Sequence, residues 1–403
     1  MAILMCELPD QPDNQRVGLA GGDKFAGSHG MDLISIKTPC LVLDIGRVKA
    51  NAERMLRKAL DNNVSLRPHV KTHKCVEVAR IAREGQNEAI TVSTLAEAWA
   101  FAKHGFADIL YAVPIEPGKF ADMIGLMRRG VDLSVVTDSA AMVPLLNDIA
   151  KVAGEKIAVS VKIDCGYHRC GVEADSEEAL LIPRLISDSP NLHLAGILTH
   201  AGHSYHARSK DELLNIARHE RDSMVELASR LTDEGIEVPT ISIGSTPTMT
   251  AIDHFNGIDE IRPGNYIFFD AFQATLGSCT FADCSLTVLA AVVHRDPIRR
   301  KVIIDAGAIA LSKDRGPVEF DEGCGYGRVL DINGNDLGAV VTSLSQEHGV
   351  IENLDETLLD KLNVGTRVRV LANHSCLAAA QHSQYHVLTN GEIVDKWEIH
   401  GGW

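Results

Sequence analysis

Long apolar runs are missing from this sequence. The most extended largely apolar stretch, Leu286 to Val293, falls far short of the roughly 20 residues that a membrane-spanning helix needs, so no membrane partner is expected. Basic charge is scarce too: 39 Lys and Arg face 54 Asp and Glu, leaving a net charge of −15 over 403 residues. A surface of that average sign repels nucleic acid and anionic lipid. Nine cysteines, Cys6, Cys40, Cys75, Cys165, Cys170, Cys279, Cys284, Cys324 and Cys376, form neither C-x-x-C pairs nor a regular framework. Reduced thiols in a cytoplasmic protein account for that. The first residues lack a basic region and turn acidic at Glu7 and Asp10, so they are not read as a secretory signal. No G-x-G-x-x-G turn follows the first strand candidate, which argues against a dinucleotide-binding sheet.

What is present is alternation. The length exceeds what one hydrophobic core organises, and 45% hydrophobic residues suffice for two domains. Cys40 to Ile45 reads as a short strand, and Val48, Ala52, Met55, Leu56, Ala59 and Leu60 keep the helical period that would cover it. Strand-like and helix-like segments then alternate through Ile90–Ser93, Ile109–Ala112, Leu133–Val136, Ile157–Ile163, Leu192–Thr199, Ile241–Gly244 and Glu260–Arg262. The clearest covering helix carries Leu213, Ile216, Ala217, Met224, Leu227, Ala228 and Leu231 on one face. This predicts a parallel (β/α)8 barrel over residues 36 to 274, opened by the Cys40 strand. From 275 to 403, short β-branched runs separated by turns such as Asn333-Gly334 and Asn390-Gly391 predict an antiparallel β domain. Residues 1 to 35 are expected to be a partly mobile leader, with the stretch around 31 to 39 near the β domain.

Three places carry chemistry. The run Leu66-Arg67-Pro68-His69-Val70-Lys71-Thr72-His73-Lys74 is polar and basic where a buried strand should end, at the barrel rim that places reactive groups. A lysine there, among basic neighbours, suits Schiff-base chemistry. The alternative is a solvated basic loop ahead of a helix at 74 to 84, and the segment alone does not decide. Late in the barrel, the turn Gly244-Ser245-Thr246-Pro247 and the turn Gly264-Asn265 offer glycine, hydroxyls and free N–H groups that attract phosphate; Ser-Thr-Pro also serves simply to cap a helix. In the β domain, His374 and Cys376 lie two apart after the strand Val368 to Leu371, on one side of an extended chain. Imidazole plus thiolate suits zinc, with positions left for water or substrate, although a lone H-x-C is often accidental.

Thr38-Pro39 with Leu41-Val42-Leu43-Asp44, followed by the H-x-K-x-x-K run at His69, Lys71 and Lys74, resembles the family of D-serine dehydratase, D-threo-3-hydroxyaspartate dehydratase and D-threonine aldolase. These are fold-type III pyridoxal-phosphate enzymes related to alanine racemase. The resemblance implies that Lys71 carries the cofactor and Lys74 does not. It places Arg169, in Asp164-Cys165-Gly166-Tyr167-His168-Arg169, beside the cofactor's phenolic oxygen. His200 would pack against the pyridine ring, Arg262 would face the ring nitrogen, and Tyr205 would lie near the cofactor. Without the resemblance, His200 and Tyr205 read as a core histidine and a packing aromatic. Arginine does not yield its proton, so the ring would stay unprotonated and serve as a weaker electron sink.

The H-x-C pair coincides with the family's metal motif, where dehydratases carry cysteine and aldolases typically carry aspartate. Zinc is the expected ion, with manganese or magnesium as alternatives. The implied chemistry is removal of the Cα hydrogen by the Lys71 amine, with a metal assisting departure of the β-hydroxyl. The product would be a 2-oxo acid and ammonia. Further matches at Asp305-Ala306-Gly307, Leu311 to Gly316, Ser345 to Gly349 and His400 to Trp403 resemble the bacterial dehydratases. Lys313, Arg315 and His348 are candidates for a substrate's second carboxylate. An aldolase giving glycine and an aldehyde is the competing enzyme, and a pyridoxal-phosphate carrier the competing non-enzyme. Fold relatives imply a homodimer.

Overall fold

A computed structural model describes residues 31–84 and 89–403. The expected leader, apart from its last five residues, 31 to 35, lies outside the described residues. Two sheets organise the chain. The first runs in parallel through Ser65–Leu66, Ile90–Val92, Asp108–Pro114, Asp132–Thr137, Ile157–Asp164, Leu192–Leu198, Ile241–Ile243 and Glu260–Ile261, whose last strand pairs back onto the first. Between the first strand and the second, a parallel bridge from His69 to Thr91 closes the ring, and the Thr91 N–H donates to the Pro68 carbonyl at 2.9 Å. The expected barrel is therefore present. Ile157–Asp164 is buried at every position, because helices cover one face and inward side chains fill the other. Local chemistry starts the covering helices: the Asp44 carboxylate accepts the Arg47 N–H at 3.1 Å ahead of Ile45–Asp61, and the Ser209 hydroxyl caps Lys210–Asp233.

The strand Cys40–Asp44 corrects one expectation. It lies in the second sheet, antiparallel to Leu286–Asp296 and parallel to Gln384–Thr389, so the barrel opens at Ser65–Leu66. Leu41, Val42 and Leu43 are fully buried, and a continuous apolar run signals burial on both faces without saying in which sheet. The rest of that sheet is antiparallel, as expected of the β domain. Asn390 and Gly391, with φ of 52° and 86°, make the two-residue link between its strands Gln384–Thr389 and Glu392–Glu398. Met31–Asp32 pairs with Glu392–Glu398. No helix among the described residues is long and apolar enough to cross a membrane.

Inside the barrel, Arg67 ties three strands. Its Nε donates to Glu260 Oε2 at 2.6 Å and its Nη1 to Asp108 Oδ1 at 2.5 Å, while Glu260 also accepts from Ser242 Oγ at 2.7 Å. Burial works against the guanidinium charge, but the two carboxylates outweigh it and hold its pKa above the ordinary value. Glu260→Ala should therefore cost about 1.5–3 kcal/mol in urea unfolding, because it removes the buried carboxylate and leaves Arg67 only its partly exposed partner Asp108. Asp108→Ala, whose side chain is 39% exposed, should cost about 1 kcal/mol or less. Equal losses from the two variants would show that burial does not set the strength of this triad.

Candidate active site

Lys71 sits on the single turn Val70–Thr72, directly after the bridge that closes the barrel. Burial pushes the pKa of its amine down; Arg169 and Arg262 push the same way, against the pull of Cys376 and Glu97. An amine so placed sheds its proton more readily and is a better nucleophile. Lys74 differs. It forms an ion pair with the fully buried Glu97, whose other oxygen accepts the Ser93 N–H at 2.7 Å. The structure thus separates the two lysines of the run, leaving Lys71 without a carboxylate partner among the described residues.

The residues proposed around it come from four barrel strand ends. Arg262 is buried, with Nε donating to Ser242 Oγ at 2.7 Å and Nη2 to the Thr199 carbonyl at 2.5 Å. Its Nη1 has no partner among the described residues. His200 Nδ1 lies 2.9 Å from the Gly244 carbonyl, which can only accept, so Nδ1 carries the proton. Burial, with Lys71 and Lys162, holds this imidazole's pKa well below its ordinary value and keeps it neutral. Tyr167 meets the His200 ring edge-on at 6.2 Å, and the exposed Arg169 stacks on Tyr167 at 5.0 Å. The Tyr167 ring occupies the space that a Cβ at Gly202 would enter, 2.2 Å away. Tyr205 packs against Phe272 at 5.4 Å, with its hydroxyl beside Gln273, and burial raises the phenol's pKa.

The two late turns lie side by side. Gly244, with φ of 140°, brings the chain so near Arg262 that a Cβ would come within 2.9 Å of its backbone nitrogen. A Cβ at Gly264 would meet the His69 carbonyl and Thr72 Oγ1, each at 2.9 Å. The Ser245 hydroxyl accepts the Thr248 N–H at 3.3 Å and lies 3.0 Å from Ser204 Oγ, so it caps the short helix Thr246–Ala251. The N–H groups of Thr246, Gly264 and Asn265 have no acceptor among the described residues. Unused N–H groups on two adjoining turns fit a phosphate, and Nη1 of Arg262 fits a ring nitrogen.

The H-x-C pair is together, but not as an extended chain. His374 is extended, whereas Cys376 lies inside the helix Ser375–Ala379. The cause is Asp270: its Oδ2 accepts the Ser375 N–H at 2.9 Å, Ser375 Oγ at 3.2 Å and Asn265 Nδ2 at 2.8 Å, which turns the chain into a helix at residue 375. The His374 imidazole lies close enough to the Cys376 thiol for each to shift the other's pKa, and its Nδ1 lies 2.7 Å from Asp314 Oδ2. Burial opposes charge on both groups, yet Asp314 and Cys376 raise the His374 pKa and His374 lowers that of Cys376. The thiolate form, which ligates metals, is thereby favoured. Cys376 Sγ is 3.4 Å from Thr72 Oγ1, beside Lys71, and 3.4 Å from Asn265 Nδ2, on the second turn. One sulfur and one nitrogen, the nitrogen's ring steered by a carboxylate, make a donor set that fits zinc.

Among the described residues, the one group of three metal-type side chains within ligating distance is Asp164, His168 and Glu173, away from this pair. There the Asp164 carboxylate is already engaged by the N–H groups of Gly166, Tyr167 and His168. Of the candidates for a second carboxylate, Lys313 and His348 are exposed, and Arg315 donates to the Glu322 carbonyl at 3.0 Å and lies 5.8 Å from the Tyr326 ring.

Sequence reasoning missed Asp270, Asp314 and Lys162. Lys162 is buried in the barrel strand Ile157–Asp164, and burial together with Arg262 pushes its pKa down to about 7. A lysine inside an otherwise apolar strand was a visible signal. The two aspartates gave none, because their partners lie far away along the chain.

The model of the alanine racemase N-terminal domain matches residues 43–271, and the model described as "Putative serine dehydratase domain" matches 285–388. D-threo-3-hydroxyaspartate dehydratase of Delftia sp. (strain HT23) is 38% identical over 92% of this chain and 99% of its own. D-serine dehydratase of Dictyostelium discoideum is 34% identical over 92% of this chain and 98% of its own. The solved Delftia enzyme superimposes with a TM-score of 0.89, at 38% identity over 93% of this chain and all of the other. This chain belongs to the family of alanine racemase-like proteins that includes D-threo-3-hydroxyaspartate dehydratase and D-serine dehydratase.

Proposed function

We propose that this protein is a carbon–oxygen lyase, dependent on pyridoxal phosphate and a divalent metal, that converts a 3-hydroxy D-amino acid such as D-threo-3-hydroxyaspartate or D-serine to a 2-oxo acid and ammonia. The observation that carries the reading is the place of Cys376, two residues from His374 and 3.4 Å from Thr72 Oγ1 beside Lys71. A donor pair for a hard-to-expel hydroxide thus adjoins an amine that can take a proton. A D-threo-3-hydroxyaspartate dehydratase has been solved as a substituted variant in a metal-free form, which supports a metal in the family's chemistry. A cytoplasmic homodimer completes the reading.

The residues divide the work. The N–H groups of Thr246, Gly264 and Asn265 would hold the cofactor phosphate, with Ser245 fixing the first turn and Gly244 and Gly264 allowing close approach. His200 would pack on the ring, Arg262 would face its nitrogen through Nη1, and Arg169 would sit at the phenolic side with Tyr205 nearby. Lys71 would bind the cofactor and then, freed, take the Cα proton at Nζ. His374 and Cys376 would hold the ion, zinc in preference to manganese or magnesium. Pyridoxal phosphate supplies electron withdrawal from Cα, and the metal supplies Lewis acidity toward the β-hydroxyl.

Incubation with D-serine, D-threonine and D-threo-3-hydroxyaspartate, assaying 2-oxo acid, ammonia and glycine, tests the reaction class. Glycine without ammonia would make the protein an aldolase, and no turnover would leave a carrier. Borohydride reduction should fix the cofactor on Lys71, and Lys71→Ala should lose turnover while keeping its fold by circular dichroism. Label on Lys74, or full activity in that variant, would sink the assignment.

A chelator should abolish ammonia release while leaving the cofactor's visible absorbance, and added Zn²⁺ or Mn²⁺ should restore release. Cys376→Ala should behave like the chelated protein. Cys284→Ala should stay active, because that buried thiol, its pKa raised by Cys279 and by burial, lies 3.8 Å from the Thr280 carbonyl and serves packing. Unimpaired dehydration by Cys376→Ala, together with no ion in metal analysis, would reject metal assistance.

A further inference from the structure

The geometry points to Glu220 as the positioning residue that sets two cofactor-facing strand ends at once. The inference rests on the cofactor reading of His200 and of the Gly244 turn. Glu220 lies on the helix Lys210–Asp233 and is fully buried, in register with Leu213, Ala217, Met224, Leu227 and Leu231 on the face against the barrel. A leucine would fill that place without the cost of burying a carboxyl group. The acid instead spends one oxygen on two backbone groups: Oε1 accepts the Ala201 N–H at 3.0 Å and the Gly244 N–H at 3.2 Å. Oε2 is buried without a partner.

Both bonds converge on His200. Ala201 is its chain neighbour, and the Gly244 carbonyl is the group that receives the His200 Nδ1 proton at 2.9 Å. The circuit therefore runs from Glu220 to Ala201, through His200 to the Gly244 carbonyl, and back through the Gly244 N–H. It fixes the plane of the imidazole and, in the same act, the start of the turn that presents the Thr246 N–H. The two strand ends already meet where His200 reaches the Gly244 carbonyl and where the Thr199 N–H meets the Ser242 carbonyl at 3.1 Å; the carboxyl group adds the link between the Ala201 and Gly244 N–H groups, which as donors cannot bond to each other. Its reach sets the role: one methylene less and a single oxygen no longer meets both N–H groups.

The test is the affinity of metal-free apoprotein for pyridoxal phosphate, followed by the rise of visible absorbance and by induced circular dichroism, with no turnover required. Glu220→Gln keeps an acceptor at the same reach and should bind within about threefold of the parent. Glu220→Asp keeps the carboxyl group but loses the reach; its dissociation constant should rise about tenfold or more, equivalent to one lost hydrogen bond, with a weakened induced dichroic band. Met224→Ala, one turn along the same buried face, should lower the melting temperature and leave the dissociation constant unchanged. Parent-like binding by Glu220→Asp, or an equal loss in Met224→Ala, would overturn the positioning role. A parent protein that binds no pyridoxal phosphate would overturn the cofactor reading itself.

Discussion

The Asp270 carboxylate holds the barrel rim and the β domain in a common frame. One oxygen accepts the Gln273 N–H and so starts its own short helix; the other takes three bonds, from Asn265 Nδ2 and from Ser375 N and Oγ. Asn265 belongs to the second of the late barrel turns, and Ser375 stands between His374 and Cys376. A buried carboxylate that accepts four hydrogen bonds is stable where it lies and intolerant of displacement. Because Asn265 Nδ2 also lies 3.4 Å from Cys376 Sγ, the turn suited to phosphate and the thiolate suited to metal share one polar network. Movement of either would be felt by the other.

Charge is distributed around that frame with economy. The lysine run contains two amines three residues apart, and the fold gives the buried carboxylate of Glu97 to Lys74 alone. Lys71 is left buried near Arg169 and Arg262, and burial together with their fields pushes its pKa down. Burial, with Lys71, Lys162 and Arg169, lowers the His200 pKa as well, which suits a ring that would pack against an aromatic cofactor. His374 stands apart from them, next to Asp314 and Cys376, which raise its pKa against the effect of burial. Two histidines of one site are thus shifted in opposite directions by their surroundings.

Much of this was legible in the sequence where the signal is local. Alternation gave the barrel strands, Asn390-Gly391 gave a hairpin, and a basic run after an apolar strand drew attention to Lys71. The unread parts depend on distance along the chain. Nothing in Cys40 to Asp44 says that its partners lie in Leu286–Asp296 and Gln384–Thr389. Asp270 looks like a helix cap, which it is; its second task involves a residue 105 positions away, and Asp314 meets His374 across 60. Glu220, like Lys162, was an exception. It interrupts an apolar stripe at a core position, and that break in the pattern was the sign of a buried polar task.

Arg262 and the His374–Cys376 pair are best understood together. A guanidinium fixed by Ser242 and Thr199 keeps its proton under all ordinary conditions, so a pyridine nitrogen facing it would receive a hydrogen bond but no full charge. The electron sink is then shallow, and negative charge gathering at Cα has little place to rest. In a reaction that only returns a proton to Cα, that shallowness protects against side reactions. In an elimination it would leave hydroxide, a poor leaving group, to be expelled by a short-lived carbanion. A Lewis acid at the β-oxygen removes the difficulty at its source by stabilising the departing group. The same shallow sink that would suit proton return would leave elimination in need of a metal at the leaving group, and Cys376, beside Thr72, is where such an ion would reach the β-oxygen of an amino acid bound next to Lys71.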